Sequence, residues 1–564
     1  MTAPIERKLF HLQILNVAKK FENEIALLDA ETNESYTFGE FRRRSFQLAT
    51  VISAHLLPNS PSITRDALVC LLPNGIDYPV VFAGTALLGH PLCGISAEST
   101  KDELAAVLRK TESRYIVTNL GQIETVRQAI ELVKVEDIVV FVFGKLPEGS
   151  TLPLDVAFDL VFLQDDLALA PFDDELVETL SARSRALVSL NDTLLLPLSS
   201  GTTGDPKMVV LTHANFIAAT NSLKKALFDD LSNSLGRRAN LAFLPFTHAS
   251  GFWALCFCLL SGHKTIVMST FQPLLMMKMV QIEKIDTLNL VPSLVTYLIR
   301  NADQFAGYDL SSLRTVLCGS APISKETIAA FIEKYPQVSD FIQGYGMTEL
   351  VVLSHLTPLG ESARDMKHAG SCGKLLPGFE AKIVDPETQS IITNPNEPGE
   401  LWLKSEAIMK EYVAEPDRTA SVLQDGWFHT GDVVYVDADG YYYVVDRLRN
   451  MIKVNGLQVS PVELEGHILT LPYVAEAAVI GIKDADAGQV PVAFVVLKQA
   501  DISEGLGTAA AVEQIRNHVH DRVSAYKQLR GGIIVLPKLP KTKSGKVIRS
   551  ELEKIANSKI ETAL

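Results

Sequence analysis

A basic excess is the first thing this sequence lacks. Its 564 residues carry 52 Lys and Arg against 66 Asp and Glu, a formal net charge of −14. With no basic stripe to offset that balance, a nucleic-acid backbone is excluded as a natural partner; the local run Arg42-Arg43-Arg44 reads as a solvated helix face. Cysteine is also sparse. Cys70, Cys93, Cys256, Cys258, Cys318 and Cys372 show no C-x-x-C spacing, so neither a zinc site nor a disulfide framework is indicated, and a reducing compartment fits. Long apolar runs are missing too. The longest, Leu241 to Leu260, is interrupted by Pro245, Thr247, His248, Ser250 and Gly251, which argues against a transmembrane helix. No signal peptide is evident near Met1, and the final residues Glu561-Thr562-Ala563-Leu564 do not form the S-K-L peroxisomal address. An intracellular, cytoplasmic protein is the expectation.

What is present is an ordinary globular composition, 47% apolar and 21% charged, with room for several domains. Near the middle stands Ser199-Ser200-Gly201-Thr202-Thr203-Gly204-Asp205-Pro206-Lys207. Two glycines let the backbone turn N–H groups inward, four hydroxyls add uncharged donors, and Lys207 adds a positive charge. Such a loop suits a polyphosphate. It is not a Walker loop, because Lys207 is followed by Met208 and the strand-like Val209-Val210-Leu211 rather than by Ser or Thr and a helix. A Gly/Thr hairpin turn between two strands remains the other reading.

Upstream, Thr37-Phe38-Gly39-Glu40 has capping-box spacing, with Phe41, Leu48, Ile52 and Leu56 on one helical face. Strands at Ala67 to Leu72, Tyr115 to Thr118 and Ile138 to Phe143, with a helix near Tyr78 to Leu88, predict α/β layers with parallel strands. The acidic stretch 155–185 reads as a surface excursion. Downstream the alternation resumes, with strands at Leu241 to Phe246, Thr265 to Met268, Thr287 to Val291 and Thr315 to Cys318. Ligands in open α/β sheets sit beyond the carboxyl ends of strands, which singles out three segments. Thr247-His248-Ala249-Ser250-Gly251 offers a histidine that is either structural or catalytic. Cys318-Gly319-Ser320-Ala321-Pro322 is a tight turn that also lets a flat ring lie against backbone. In Gln343-Gly344-Tyr345-Gly346-Met347-Thr348-Glu349, a hydroxyl and a carboxylate arrive together, as Mg²⁺ on a phosphate oxygen would require; a buried tyrosine in a bend is the alternative.

From about residue 375 the chain reads as β-rich, with a hairpin through Asp439-Gly440, and Asp446-Arg447-Leu448-Arg449 as a hinge. A hairpin around Asn455-Gly456, a helix opened by Ser460-Pro461-Val462-Glu463, strands at Ala477 to Ile482, Val492 to Leu497 and Ile533 to Leu536, and a helix from about Ala510 to Tyr526 predict a small α+β domain. The cationic tail Pro540 to Lys546 reads as a loop.

Six motifs in order, S-S-G-T-T-G-D-P-K (199–207), Q-G-Y-G-M-T-E (343–349), T-G-D (430–432), D-R (446–447), I-K-V-N-G-L-Q-V-S-P (452–461) and S-G-K (544–546), resemble the adenylate-forming superfamily. That superfamily includes acyl-CoA synthetases, 4-coumarate:CoA ligases and beetle luciferases, and the resemblance covers residues 35–555. It implies a large N-terminal domain, 1–447, of layered α/β subdomains plus a β-rich subdomain. A small mobile α+β domain, 448–564, would follow it through a hinge near Arg449. It further implies that a carboxylic acid attacks Mg·ATP, giving an acyl-adenylate and pyrophosphate, and that CoA then takes the acyl group. By the same resemblance, the 199–207 loop holds the β- and γ-phosphates, and Thr348 and Glu349 serve the α-phosphate and Mg²⁺. Tyr345 and the Gly319-Ser320-Ala321 backbone would sandwich adenine, with Gln343, Gly344 and Gly346 in the same ATP-binding motif, and Asp432 and Arg447 would take the ribose hydroxyls. His248 falls beside the reacting carboxylate, Lys546 serves adenylation, and Lys453, Asn455 and Gly456 lie on the CoA side.

Two departures stand out: Met208 replaces the family's usual Gly, and Asn455 a Lys common in plant ligases. The expected acyl pocket, Ala249, Ser250, Cys318, Met347, Val351 and Val352, is apolar and uncharged, which suits a medium-chain fatty acid or an arylpropenoic acid. The competing expectations are a luciferase-like oxygenase, an enzyme that stops at acyl-AMP, and a nucleotide-binding regulator without catalysis.

Overall fold

A computed structural model describes residues 8–56, 67–133, 135–144, 158–199, 207–228, 238–360, 365–455, 457–484, 486–498, 507–541 and 547–563. Ser200, Gly201, Thr202, Thr203, Gly204, Gly456 and Lys546 lie outside them.

Consecutive buried β-branched and leucine residues, as in Leu68–Leu71, mark strands covered on both faces. These strands pair in parallel, Leu92–Gly94 and Tyr115–Asn119 flanking Leu68–Leu71, then Val139–Phe143 and Asp159–Phe162. Thr193–Leu195 and Lys207–Thr212 extend the sheet on the other side, the latter antiparallel. The stretch read as a surface excursion is therefore partly core: Asp159–Phe162 adds a strand, and the helices Leu163–Leu169 and Asp174–Leu187 follow it. Among its acids, Asp173 caps the second of these helices, accepting from the Leu176 N–H at 2.8 Å, with Asp174 and Glu175 in the first turn. This cluster serves a helix start rather than solvation of a loop.

The capping box at Thr37 holds as expected, with Glu40 N–H donating to Thr37 Oγ1 at 3.1 Å and Thr37 N–H to Glu40 Oε2 at 2.8 Å. It opens the helix Phe38–Ala54, whose Phe41, Leu48 and Ile52 are fully buried. The later alternation does not form one series. Ala239–Ala242 and Lys264–Val267 join the N-terminal strand Ile25–Asp29, whereas Thr287–Leu290, Thr315–Cys318 and Asp340–Tyr345 form a second parallel set. Antiparallel strands Glu380–Val384, Gly399–Lys404, Trp427–Val436 and Tyr442–Arg447 make the expected β-rich part.

Beyond it, in the long hairpin Val474–Asp484 and Gly488–Leu497, the free edge of the second strand pairs with Ile452–Val454 at Gly488 and, in parallel, with Ile533–Val535 at Ala493 to Val495. Helices Pro461–Leu469, Thr508–His520 and Arg549–Ala563 cover this sheet. The last helix has no counterpart in the sequence reading, since only sparse apolar positions such as Leu552 and Ala556 anchor it. The apolar clusters of this region draw only on residues from Ile452 onward. One tie to the rest is Asp446, part of the charged run read in sequence as a hinge, which is 5% exposed. Its carboxylate accepts from the Asn450 amide at 3.1 Å and the Val462 N–H at 3.3 Å, while Ser460 Oγ donates to Val445 O at 3.1 Å.

Candidate active site

The phosphate-loop candidate is bracketed by described residues on both sides. Leu198–Ser199 pairs antiparallel with Lys207–Thr212, Ser199 opposite Lys207 and Met208 opposite Leu198, so residues 200–206 connect two paired strands as expected. Side chains alternate along a strand. Lys207 accordingly lines a cavity while Met208 is fully buried in the sheet core. The unusual methionine fills apolar space on the face opposite the loop's lysine.

Next to Lys207 stands Glu349, 6% exposed. Its Oε1 accepts from Tyr412 O–H at 2.9 Å and Ser199 O–H at 3.2 Å. Burial of the ammonium pulls the Lys207 pKa down, and the Glu349 carboxylate opposes that shift. The Tyr412 ring centroid lies 5.0 Å from Lys207 Nζ, and burial together with Glu349 raises the Tyr412 phenol far above its usual range. Tyr412 sits on an edge strand paired to Lys207–Thr212; nothing in the local sequence around it signals a site.

Glu349 is delivered by a tight bend after the strand Asp340–Tyr345. A Cβ on Gly346 would fall 1.8 Å from Val352 O, so only glycine permits this approach. Val351 adopts φ +64° and is fully buried. It does not reach the cavity wall, which corrects its expected place in the acyl pocket; Ala249, Ser250, Cys318, Met347 and Val352 do line it. Cys318 is opposite Gln343 in the parallel pairing, and a Cβ on Gly319 would lie 3.3 Å from Gly344 O. Ser320 takes φ +73°, and Ala321 is exposed just beyond it. These two strand ends therefore form one small-residue shelf.

Tyr345 and Asp432, expected to hold different parts of a nucleotide, share a hydrogen bond: Tyr345 O–H donates to Asp432 Oδ2 at 2.6 Å. Arg447, across the antiparallel pair from Asp432, brings Nε within 3.3 Å of Oδ1. Burial raises the Asp432 carboxyl while Arg447 and the Tyr345 hydrogen bond oppose it. Thr430 Oγ1 accepts from the Asp432 N–H at 3.1 Å, fixing the turn. Arg447 and Arg449 both line the cavity.

His248 is the N-cap of the helix Ala249–Ser261 and is exposed at the cavity wall. Its segment is held by Asn74, which sequence reading passes over. Asn74 accepts from the Phe246 N–H at 2.8 Å and donates to Leu244 O at 3.0 Å. The cavity, about 1210 Å³, runs from Lys207, Glu349 and Arg447 past His248 and Gly319 to Trp253, Phe257 and Leu290. It ends near Arg238, which is paired with Asp286 through Nε at 2.7 Å. The expectation of an uncharged pocket thus holds for its middle but not its inner end. Lys453 and Asn455 lie elsewhere, on the hairpin Ile452–Val454 and Leu457–Val459; Lys453 is exposed and Asn455 takes φ +51°.

Among the described residues, no helix is long and apolar enough to cross a membrane. The AMP-binding enzyme family matches residues 15–413, and the AMP-binding enzyme C-terminal domain matches residues 463–546. A probable CoA ligase CCL5 of Humulus lupulus is 34% identical over 550 residues, 96% of this chain and 92% of that protein. The peroxisomal OPC-8:0-CoA ligase 1 of Arabidopsis thaliana is 34% identical over 545 residues, 95% and 91% of the two chains. ATP-bound MatB from Rhodopseudomonas palustris has the same fold, with a TM-score of 0.79 over 97% of this chain and 98% of that one at 22% identity. The chain belongs to the AMP-binding enzyme family of adenylate-forming acid–thiol ligases.

Proposed function

We propose that the chain converts a carboxylic acid, ATP and CoA into an acyl-CoA thioester, AMP and pyrophosphate. The observation that carries this reading is the single cavity joining a polar end, with Lys207, Glu349 and Arg447, to an apolar tunnel past His248. In the first step a carboxylate oxygen bonds to the α-phosphorus and the bond to the β-phosphate oxygen breaks. Two anions must meet, so cations and positioning dominate the barrier. Lys207 and the 199–207 loop would neutralise the leaving phosphates. The Gly319 to Ala321 shelf and Tyr345 would flank adenine, with Asp432 and Arg447 at the ribose. His248 would orient the acid's carboxylate, and Lys546 would reach the reacting oxygens.

Thr348 and Glu349 supply the hard oxygen donors that suit Mg²⁺. Among the described residues Glu349 Oε2 has no hydrogen-bond partner, which fits a further ligand there. Bound there, Mg²⁺ would neutralise phosphate charge. In the second step the CoA sulfur, its proton lost, bonds to the acyl carbon and the C–O bond to AMP breaks. Lys453, Asn455 and Gly456 would line the thiol's path after the body 448–564 turns about Arg449 relative to residues 1–447. The separate apolar cores on the two sides of this boundary support that division. A cytoplasmic location belongs to the same reading, supported by the six free, scattered cysteines.

The test is pyrophosphate release across a panel of fatty and arylpropenoic acids, with and without CoA, alongside thioester detection and oxygen uptake. Acid-dependent pyrophosphate with thioester and no oxygen uptake is the expected result. Oxygen consumption would favour an oxygenase, adenylate without thioester an acyl-AMP ligase, and no pyrophosphate with any acid would overturn the reading.

A further inference from the structure

We propose that the inner end of the cavity recognises a neutral oxygen function at the far end of the substrate's chain. The preferred acid then carries a distal hydroxyl or carbonyl rather than a plain hydrocarbon tail. This deepens the acid-activation reading and rests on it.

Strand direction sets the geometry. The ends of Ala239–Ala242, Thr287–Leu290 and Thr315–Cys318 that lead to His248 and Gly319 are carboxyl ends; Arg238, Asn240 and Thr287 lie toward the opposite ends, with Asn289 between them and Gly319. Arg238, Asn240, Thr287 and Asn289 all line the cavity, joined by His263 from the turn before Lys264–Val267. Residues two apart share a strand face, so Arg238 with Asn240, and Thr287 with Asn289, are two pairs facing one space. Asn289 pairs with Leu317, two residues before Gly319, and Thr287 lies two residues deeper beside Thr315. At about 3.3 Å per residue these depths are about 7 and 13 Å below the Gly319 shelf. The wall between is apolar, with Trp253, Phe257, Leu290 and Leu294.

The hydrogen bonding of this end is incomplete. Arg238 gives Nε and Nη2 to Asp286 and Nη2 to Thr287 Oγ1 at 2.8 Å. Asn240 Nδ2 meets His263 Nδ1 at 3.3 Å. Among the described residues, Arg238 Nη1, Asn240 Oδ1 and the whole Asn289 amide have no partner. A tunnel built only for methylene groups would leave these groups unmatched against hydrocarbon, which costs more than a neutral hydrogen bond returns. Charge narrows the choice further. The Arg238–Asp286 pair is neutral as a unit, so a second carboxylate would meet Asp286 without a net positive field, whereas a hydroxyl or ketone oxygen can accept from Arg238 Nη1 or Asn289 Nδ2.

The experiment compares kcat/KM for pyrophosphate release with octanoate, its terminal-hydroxy derivative, its terminal methyl-ketone analogue and suberate. Wild type is set against Asn289→Leu and Asn240→Leu. Arg238 is left intact because its loss would strand Asp286. In wild type the hydroxy or keto acid should exceed octanoate by about tenfold or more, with suberate showing no such gain. Either leucine variant should shrink that ratio toward one or reverse it. Because the ratio is taken within one preparation, a loss of folded protein cancels. Equal or better use of octanoate by wild type, a ratio unmoved by both variants, or suberate as the best substrate overturns the proposal. Failure of every acid to release pyrophosphate instead overturns the activation reading, and this one with it.

Discussion

Glu349 shows how much one buried side chain organises. Its Oε1 collects Tyr412 and Ser199, its backbone carbonyl accepts from the Met409 N–H at 2.7 Å, and Lys207 lies in its field. A glutamine at this position keeps a carbonyl oxygen for Tyr412 and Ser199 while removing the negative charge. Glu349→Gln should therefore leave the melting temperature nearly unchanged and lower kcat for pyrophosphate release by about a hundredfold. Thermal unfolding and steady-state kinetics on the same preparation check this; an unaltered kcat would remove Glu349 from the reaction. The carboxylate and its neighbour Thr348 were readable in the linear chain, because a hydroxyl and an acid after two glycines form a recognisable local pattern. Tyr412 and Asn74 were not. Each acts through contacts made across more than sixty positions, |i−j| = 63 for Tyr412 to Glu349 and 172 for Asn74 to Phe246, and neither has a distinctive neighbourhood.

At the scale of elements, the bend between Asp340–Tyr345 and the turn Thr348–Leu350 is the most constrained piece of the site. Gly346→Ala would place a methyl carbon on the Val352 carbonyl, a clash that backbone atoms must absorb. A stability loss above about 2 kcal/mol is expected, with ATP affinity falling alongside. Denaturant unfolding and nucleotide titration measure the two; a stable variant with intact ATP binding would show that the bend relaxes easily. Element reading succeeded where periodicity and caps are strong, as at Thr37 and in the strands Tyr115–Asn119 and Thr315–Cys318. It failed over the described part of 155–185, where the acidic helix start Asp173 to Glu175 resembles a solvated loop. It placed the strand expected at Leu241 to Phe246 too late, since the strand is Ala239–Ala242, and it left open that Ala239–Ala242 and Thr287–Leu290 belong to different sheets, since partner choice depends on distant strands such as Ile25–Asp29.

For the whole molecule, the proposed division of labour assigns one lysine to each half-reaction. Lys546→Ala should lose pyrophosphate release by about a hundredfold or more yet convert a supplied acyl-adenylate to thioester, and Lys453→Ala should do the reverse. Single-turnover assays of each half-reaction separate them. Damage to the same half-reaction by both substitutions would defeat the two-pose reading. Here Lys453 is exposed on a hairpin outside the cavity walls, and Asp446 anchors the junction through Asn450 and Val462, which would give the proposed turn at Arg449 a fixed pivot. The membership of the family was decidable from the linear chain, because glycine-rich turns and the charged groups beside them are local and kept their order from Ser199 to Lys546. The acyl cavity was not. Its middle is made of ordinary core residues, and its inner end joins Arg238, Asn240, His263 and Asn289 from strands and turns that come together only when two sheets pack. Folding alone decides which isolated polar residues share a pocket, since strand pairing and burial, not sequence proximity, set the distances between them.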